Sequence, residues 1–435
     1  MNSTEAIGFL IWIAIIYFII THFSFFKDNY LTNKKIIFFF TFKFIFGCAY
    51  SYIIFYSYMA GDSLGYFNQG LYFYNIIENQ GWREFASILL QPNTGSYPEA
   101  QLSKYYANAI YWTNNGSCLM ARFNAVFHII SGHFYLTHTL LYSFISFIGL
   151  IGIYKTTTHY FRDKKAWIAG SIMLFPSIAF WGSGIHKEAF MHLSFGLILY
   201  YTLCYKSTNK LQYIIYIFIF SVLAFYVRNY AFALFFPPYL AYLICQKYYN
   251  NINAKPKTTF IFIAVYSAFL ILTWLYNQYF TNRGLVYKIV KTQNEFISNG
   301  GNSVIVQKSM DPTIDGIFRF FPSALSNGFF RPFPTDTYKV FILFTSLELW
   351  LFWLLFISTL FFFCDYKKFL HPLILFFFCF SLTYMLMLGY LVNTFGAIVR
   401  YKTTILPMLL VVWVILVDRN KIKNTITYIN KLIYK

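Results

Sequence analysis

The 435-residue chain is 58% hydrophobic and 24% aromatic but only 11% charged, with a formal net charge of +19. Its mean hydropathy of +0.52 means more apolar surface than a soluble domain can bury, so the composition specifies a polytopic membrane protein. The basic excess does not point to nucleic acid, because the lysines sit in short loops between apolar runs, as the positive-inside rule expects.

The first apolar run, about 8–26, has neither a basic leader nor a small-residue cleavage site. It reads as a transmembrane helix and not as a signal peptide. A second crossing spans about 36–58 and ends at "GDSLGYF". A long mixed segment follows, and a third crossing over 134–154 reaches the basic loop "KTTTHYFRDKK". Two short hairpins come next, with arms near 166–181 and 188–205, then 211–227 and 230–246. Four further crossings are expected at 259–280, 340–363, 371–392 and 402–418. The fold class is therefore all-α, a polytopic transmembrane bundle of about eleven helices with amphipathic segments on its outer face. The expected divisions are two N-terminal helices (1–60), an outer loop (61–133), a core with two hairpins (134–280), a second outer segment (281–338), three C-terminal helices (339–418) and a basic tail (419–435).

This layout puts 17 of the 25 lysines on one side, which makes that side cytoplasmic, with the C-terminus on it and the N-terminus outside. Arginine does the opposite: Arg83, Arg122, Arg228, Arg283, Arg319, Arg331 and Arg400 all fall on the outer side. Insertion bias does not explain that. A permanently charged guanidinium fork suits bidentate binding of phosphate, so the outer arginines point to a phosphate- or pyrophosphate-bearing substrate at the membrane surface.

Four stretches concentrate this chemistry. In "GDSLGYF", Asp62 lies at the membrane boundary with Tyr66 four residues on. A carboxylate there serves as an N-cap, a general base or a ligand for a divalent cation such as Mg or Mn. In "FWGSGIHKEAFMHLSF", His186, Lys187 and Glu188 form a charged turn inside a greasy hairpin. Ionisable groups at that depth are functional candidates by default. The small residues Gly182, Ser183 and Gly184 are expected to leave backbone N–H groups for an anion. "AFYVRNYAF" repeats the arrangement with Arg228, and "GFFRPFPTD" brackets Arg331 with aromatics and prolines, as a lip or an interfacial belt. "LVNTFGAIVRYKTTILP" adds Asn393, Arg400, Tyr401 and Lys402 at a third basic turn. The six cysteines show no metal-ligand spacing and read as small core residues.

Many crossings, an early outer-loop Asp and basic outer turns resemble the GT-C superfamily of integral-membrane glycosyltransferases, which use polyprenyl-phosphate or polyprenyl-diphosphate sugars. The stretches "FPSIAFWGSGIHKEAF", "GFFRPFPTD" and "NTFGAIVRYKTTILP" are also similar to parts of bacterial membrane proteins of envelope-polysaccharide type. The resemblance implies a GT-C-like fold in a bacterial inner membrane. It implies a polyprenyl-linked sugar donor, a glycan, lipid or protein acceptor, and Asp62 as base or metal ligand. Lys187, Arg228 and Arg400 would hold the lipid phosphate, with Glu188 as second carboxylate and His186, Arg331, Tyr66, Asn393 and Tyr401 lining the substrate site. The chain departs from the pattern in an extra first helix and in a single Asp where many members carry an acidic pair. Two alternatives stay open: a metal-independent polymerase or ligase of O-antigen-polymerase type, and a flippase for lipid-linked glycans.

Overall fold

A computed structural model describes residues 3–59, 61–91, 114–248, 255–279, 284–299, 303–336 and 340–433. Among these residues the protein is all-helical, and the only β pairing is two isolated bridges, Val304 with Thr394 and Cys364 with Val417. The chain divides into two compact units, residues 1–232 and 233–435.

Among the described residues six helices are long and apolar enough to cross a bilayer: Glu5–His22, Asn33–Phe55, Tyr135–Tyr160, Lys257–Tyr279, Ile342–Phe363 and Pro372–Leu391. A seventh is the broken pair Phe395–Lys402 and Leu406–Leu416, bent by 57°. The four hairpin arms expected from the sequence are helical but lie outside this set, for identifiable reasons. Pro176 opens a new helix, Pro176–Trp181, and so splits the first arm from Lys165–Met173. The second arm, Lys187–Thr208, begins with two charges and carries His192, Ser194 and Thr202 among its buried residues. The third, Leu211–Val227, is 17 residues long. The fourth, Asn229–Tyr248, contains Pro237 and Pro238.

In the first unit we label α1 (Ser3–His22), α2 (Asn33–Tyr52), α3 (Asp62–Gln80), α4 (Trp82–Leu90), α5 (Asn115–Ser131), α6 (Tyr135–Tyr160), α7 (Lys165–Met173), α8 (Pro176–Trp181), α9 (Lys187–Thr208) and α10 (Leu211–Val227). The centre is α6 against α9. Their backbones meet at Gly149 and Gly196, where an added Cβ on either would lie 2.0 Å from the carbonyl oxygen of His192 or of Gly149. Lipid tails are as apolar as leucine, so helices in a membrane gain by such close backbone approach, which only small residues permit. A second cluster joins the outer helices: Phe73 and Ile76 of α3, Phe85 and Ile88 of α4, and Cys118, Ala121 and Ala125 of α5. Within α2, Lys43 is buried and its ammonium donates to the Ile178 carbonyl at 3.2 Å.

In the second unit, Pro372–Leu391 is the central helix. Its Gly389 packs on the end of Ile314–Leu325, so closely that a Cβ would fall 1.8 Å from the Ala324 carbonyl oxygen. Val290, Met310, Ala324 and Tyr390 form the adjoining apolar cluster. The segment from Ser303 pairs with the turn after the central helix, with Ile305 N–H donating to Asn393 O at 2.6 Å and Phe395 N–H to Ser303 O at 3.0 Å. Wide π-type turns at 53–58 and 326–330 come shortly before Asp62 and directly before Arg331. Such turns often mark functional positions.

Candidate functional site

The polar cluster of the first unit is built where four helix ends come together. The α9 helix starts at Lys187, with His186 as its extended N-cap residue, so Lys187 and Glu188 occupy its first turn. Glu188 accepts from the Arg228 guanidinium at 2.8 Å, and the two side chains are 1% and 4% exposed. Arg228 is the C-cap of α10. Two turns, 40 residues apart in sequence, thus close on each other through one buried ion pair.

Lys187 faces another way. Its ammonium donates to Ser117 Oγ at 3.0 Å and to Asn114 Oδ1 at 3.5 Å. Ser117 sits in the first turn of α5, whose N-cap is Asn114, accepting from the Ser117 N–H at 3.0 Å. The approach depends on Gly116. A Cβ there would lie 3.1 Å from Lys187 Nζ and 2.4 Å from the Val227 carbonyl oxygen. The ammonium is therefore held between the N-terminus of α5 and the carbonyls that end α10, which favour positive charge.

Asp62 is tied to this cluster through Tyr66. Tyr66 is buried, and its hydroxyl lies 3.3 Å from Ser117 Oγ. Asp62 is one turn earlier on the same helix, half-buried. It is the first residue of α3, and Gly61, with φ of +110°, is the N-cap. The expectation that Asp62 itself caps the helix is corrected: its carboxylate acts on the first turn through the helix dipole.

Two further expectations change. Two of the backbone N–H groups expected to face an anion, those of Gly182 and Ser183, are taken by backbone carbonyls. Gly182 N–H donates to Ile178 O and Ser183 N–H to Phe180 O. The turn is packed on α2, where a Cβ on Gly184 would meet the Tyr50 ring at 2.5 Å. His186 points the same way: it is buried, with Nε2 at 2.5 Å from the Tyr50 hydroxyl and its ring edge-on to Tyr50. His186 thus anchors the turn to α2, and Lys187 and Glu188 face α5 and α10.

In the second unit Arg331 follows the π-type turn, and its guanidinium sits 5.8 and 5.9 Å from the ring centres of Phe333 and Phe395. Asp336 is 3.7 Å from its Nε. The Arg331 carbonyl accepts from buried Lys402 at 2.6 Å. Phe395, Ile398, Val399 and Lys402 form the buried face of helix Phe395–Lys402. At 100° per residue Arg400 leaves the opposite side of that helix, 200° from Lys402. It donates to Tyr401 Oη at 3.2 Å and lies 5.0 Å from that ring. Asn393 is buried at the start of the turn. So Tyr66, Lys187, Glu188 and Arg228 converge within the first unit, with Asp62 one turn before Tyr66 on α3, while in the second Arg331 and Lys402 group together and Arg400 pairs with Tyr401.

The sequence reading missed Asn114, Ser117 and Tyr50. The string "NNGS", an Asn three residues before a Ser with Gly between, carries the capping signal that would have marked Ser117. Among the described residues no group of three His, Cys, Asp or Glu side chains gathers closely enough to hold a metal ion.

No protein-family model, curated protein or solved structure matches the chain.

Proposed function

We propose that this protein is an integral-membrane glycosyltransferase. It would move a sugar from a polyprenyl-(di)phosphate carrier to an envelope glycan, lipid or protein acceptor at the non-cytoplasmic face of a bacterial inner membrane. In this reading the hairpin arms also enter the bilayer, giving about eleven membrane helices in a GT-C-like arrangement with the C-terminal tail in the cytoplasm. The observation that carries the reading is the Lys187 ammonium, fixed 3.0 Å from Ser117 at the start of α5 and linked through Tyr66 to the Asp62 end of α3.

The chemistry divides accordingly. Asp62 takes the proton of the acceptor hydroxyl as its oxygen attacks the anomeric carbon, and the bond from that carbon to the phosphate oxygen breaks. The departing phosphate gathers negative charge, which Lys187 and the N–H groups opening α5 offset. The Glu188–Arg228 pair fixes the first turn of α9 and so aims Lys187. A metal-independent polymerase or ligase is the second reading.

The test is incubation of purified protein in proteoliposomes with polyprenyl-linked sugars, followed by detection of released lipid phosphate. Lys187→Met is expected to lower the rate by about 100-fold, the usual effect of removing one transition-state donor. Equal release by wild type and Lys187→Met would sink the proposal. Activity that persists in chelator selects the metal-independent reading.

A further inference from the structure

Away from the charged cluster, the first unit contains a cavity of about 860 Å³. Its walls are Ile53, Phe55, Phe67, Phe134 and Leu136, and its polar lining includes Glu5 and His133. Three hydroxyl residues also line it: Ser51 is bonded to Thr139 at 2.7 Å, Tyr135 to Ser63 at 2.5 Å, and Tyr52 is exposed. The cavity lies at one common end of three candidate spans, which begin at Glu5, finish at Phe55 and begin at Tyr135. Its polar end is thus at headgroup depth and its walls run along hydrocarbon.

The hydrogen-bond pattern fixes what the polar end offers. His128 Nε2 is 3.0 Å from the Phe67 carbonyl, which only accepts, so Nε2 carries the proton. Burial lowers the His128 pKa to about 4, which keeps the ring neutral and leaves Nδ1 bare. His133 Nδ1, 3.1 Å away, must then be the donor. Neutral His133 is left with Nε2 as an acceptor. Burial also lowers His133 below its ordinary value, against the opposing pull of Glu78 and Glu5. The neighbours around this ring are the Tyr74 ring, neutral His128 and those two carboxylates. Buried His138 lies beyond His128, donating from Nδ1 to Asn124 Oδ1 and accepting from Ser131. The cavity therefore ends in acceptors and negative charge.

We infer that this cavity is a binding site for a membrane lipid whose headgroup is a primary ammonium. The N–H groups would be taken by Glu5 and His133, and one chain would lie along the aromatic wall. The Glu5 carboxylate would repel an anionic headgroup, and a quaternary ammonium of the same charge has no N–H to give. This site is separate from the residues assigned above to sugar transfer.

The experiment is native mass spectrometry of the full-length protein released from nanodiscs of equal phosphatidylethanolamine, phosphatidylcholine and phosphatidylglycerol with identical acyl chains. Phosphatidylethanolamine is expected to be retained about tenfold over phosphatidylcholine, the scale of one charge-assisted hydrogen bond. Glu5→Gln should reduce that preference to less than about twofold, on the same scale. Ala49→Trp, which fills the cavity from an exposed position on α2, should abolish retention with thermal unfolding unchanged. Equal retention of the two zwitterionic lipids, preferential retention of phosphatidylglycerol, or retention that survives Ala49→Trp would each overturn the assignment.

Discussion

Replacing Arg228 by methionine removes the guanidinium from a carboxylate that is 1% exposed and 2.8 Å away. A buried charge that loses its counterion pays desolvation without the Coulombic return, at a cost of about 3–5 kcal/mol. Glu188→Leu in the wild-type background strands the arginine instead and costs a similar amount. The Glu188→Leu/Arg228→Met double variant puts two apolar side chains into the same volume, and such replacements are often close to neutral. Reversible unfolding in mixed detergent micelles, followed by helical circular dichroism, should place the double variant within about 1 kcal/mol of wild type, with both singles well below it. Single variants within about 1 kcal/mol of wild type would show that water reaches the pair, and additive losses in the double would show that the residues act separately. Either result refutes the reasoning.

Other consequences are simpler to check. Asp28 accepts from the N–H groups of Tyr30 and Leu31, both at 2.7 Å, and from Lys165 at 2.9 Å. Burial pushes its pKa up, but these bonds outweigh it and hold the group below the ordinary 3.8. A depressed acid contributes stability above its unfolded pKa and loses it as pH falls through the folded value. Thermal stability should therefore drop below about pH 4 in wild type and fall less in Asp28→Asn. Gly149→Leu drives a side chain into the His192 carbonyl, so the yield of folded monomer on size-exclusion chromatography should collapse. Lys402→Met removes the ammonium that holds the Arg331 carbonyl. Hydrogen exchange over residues 331–336 should then rise by about tenfold, the equivalent of one hydrogen bond to a charged group.

What could be read from the sequence was whatever depended on local pattern. The crossing read over 134–154, uninterrupted by proline and nearly free of charge, follows from hydropathy, although the helix runs on through part of the expected basic loop to Tyr160, and the arm read from 188 starts at Lys187. What could not be read was direction. The string "HKE" does not say that His186 turns to Tyr50 while Lys187 turns to Ser117, because those partners are 136 and 70 residues away. The same holds for Gly182 and Gly184. Glycine clusters mean either a bare anion-binding loop or a place where another helix lies close, and only the neighbour decides. The cavity behind Glu5 and His133 left no local trace, since its lining comes from four separate segments.

Lys43 has a consequence for how the chain is made. Its acceptor, the Ile178 carbonyl, is 135 residues downstream. During synthesis the second helix must leave the translocon long before that oxygen exists, with a lysine in mid-helix that costs about 3 kcal/mol against lipid. The early helices are thus metastable until the eighth arrives. A ribosome stalled before residue 178 should yield a nascent chain that quality-control proteases recognise, whereas one stalled far enough downstream for α8 to have left the ribosome and entered the membrane should be spared.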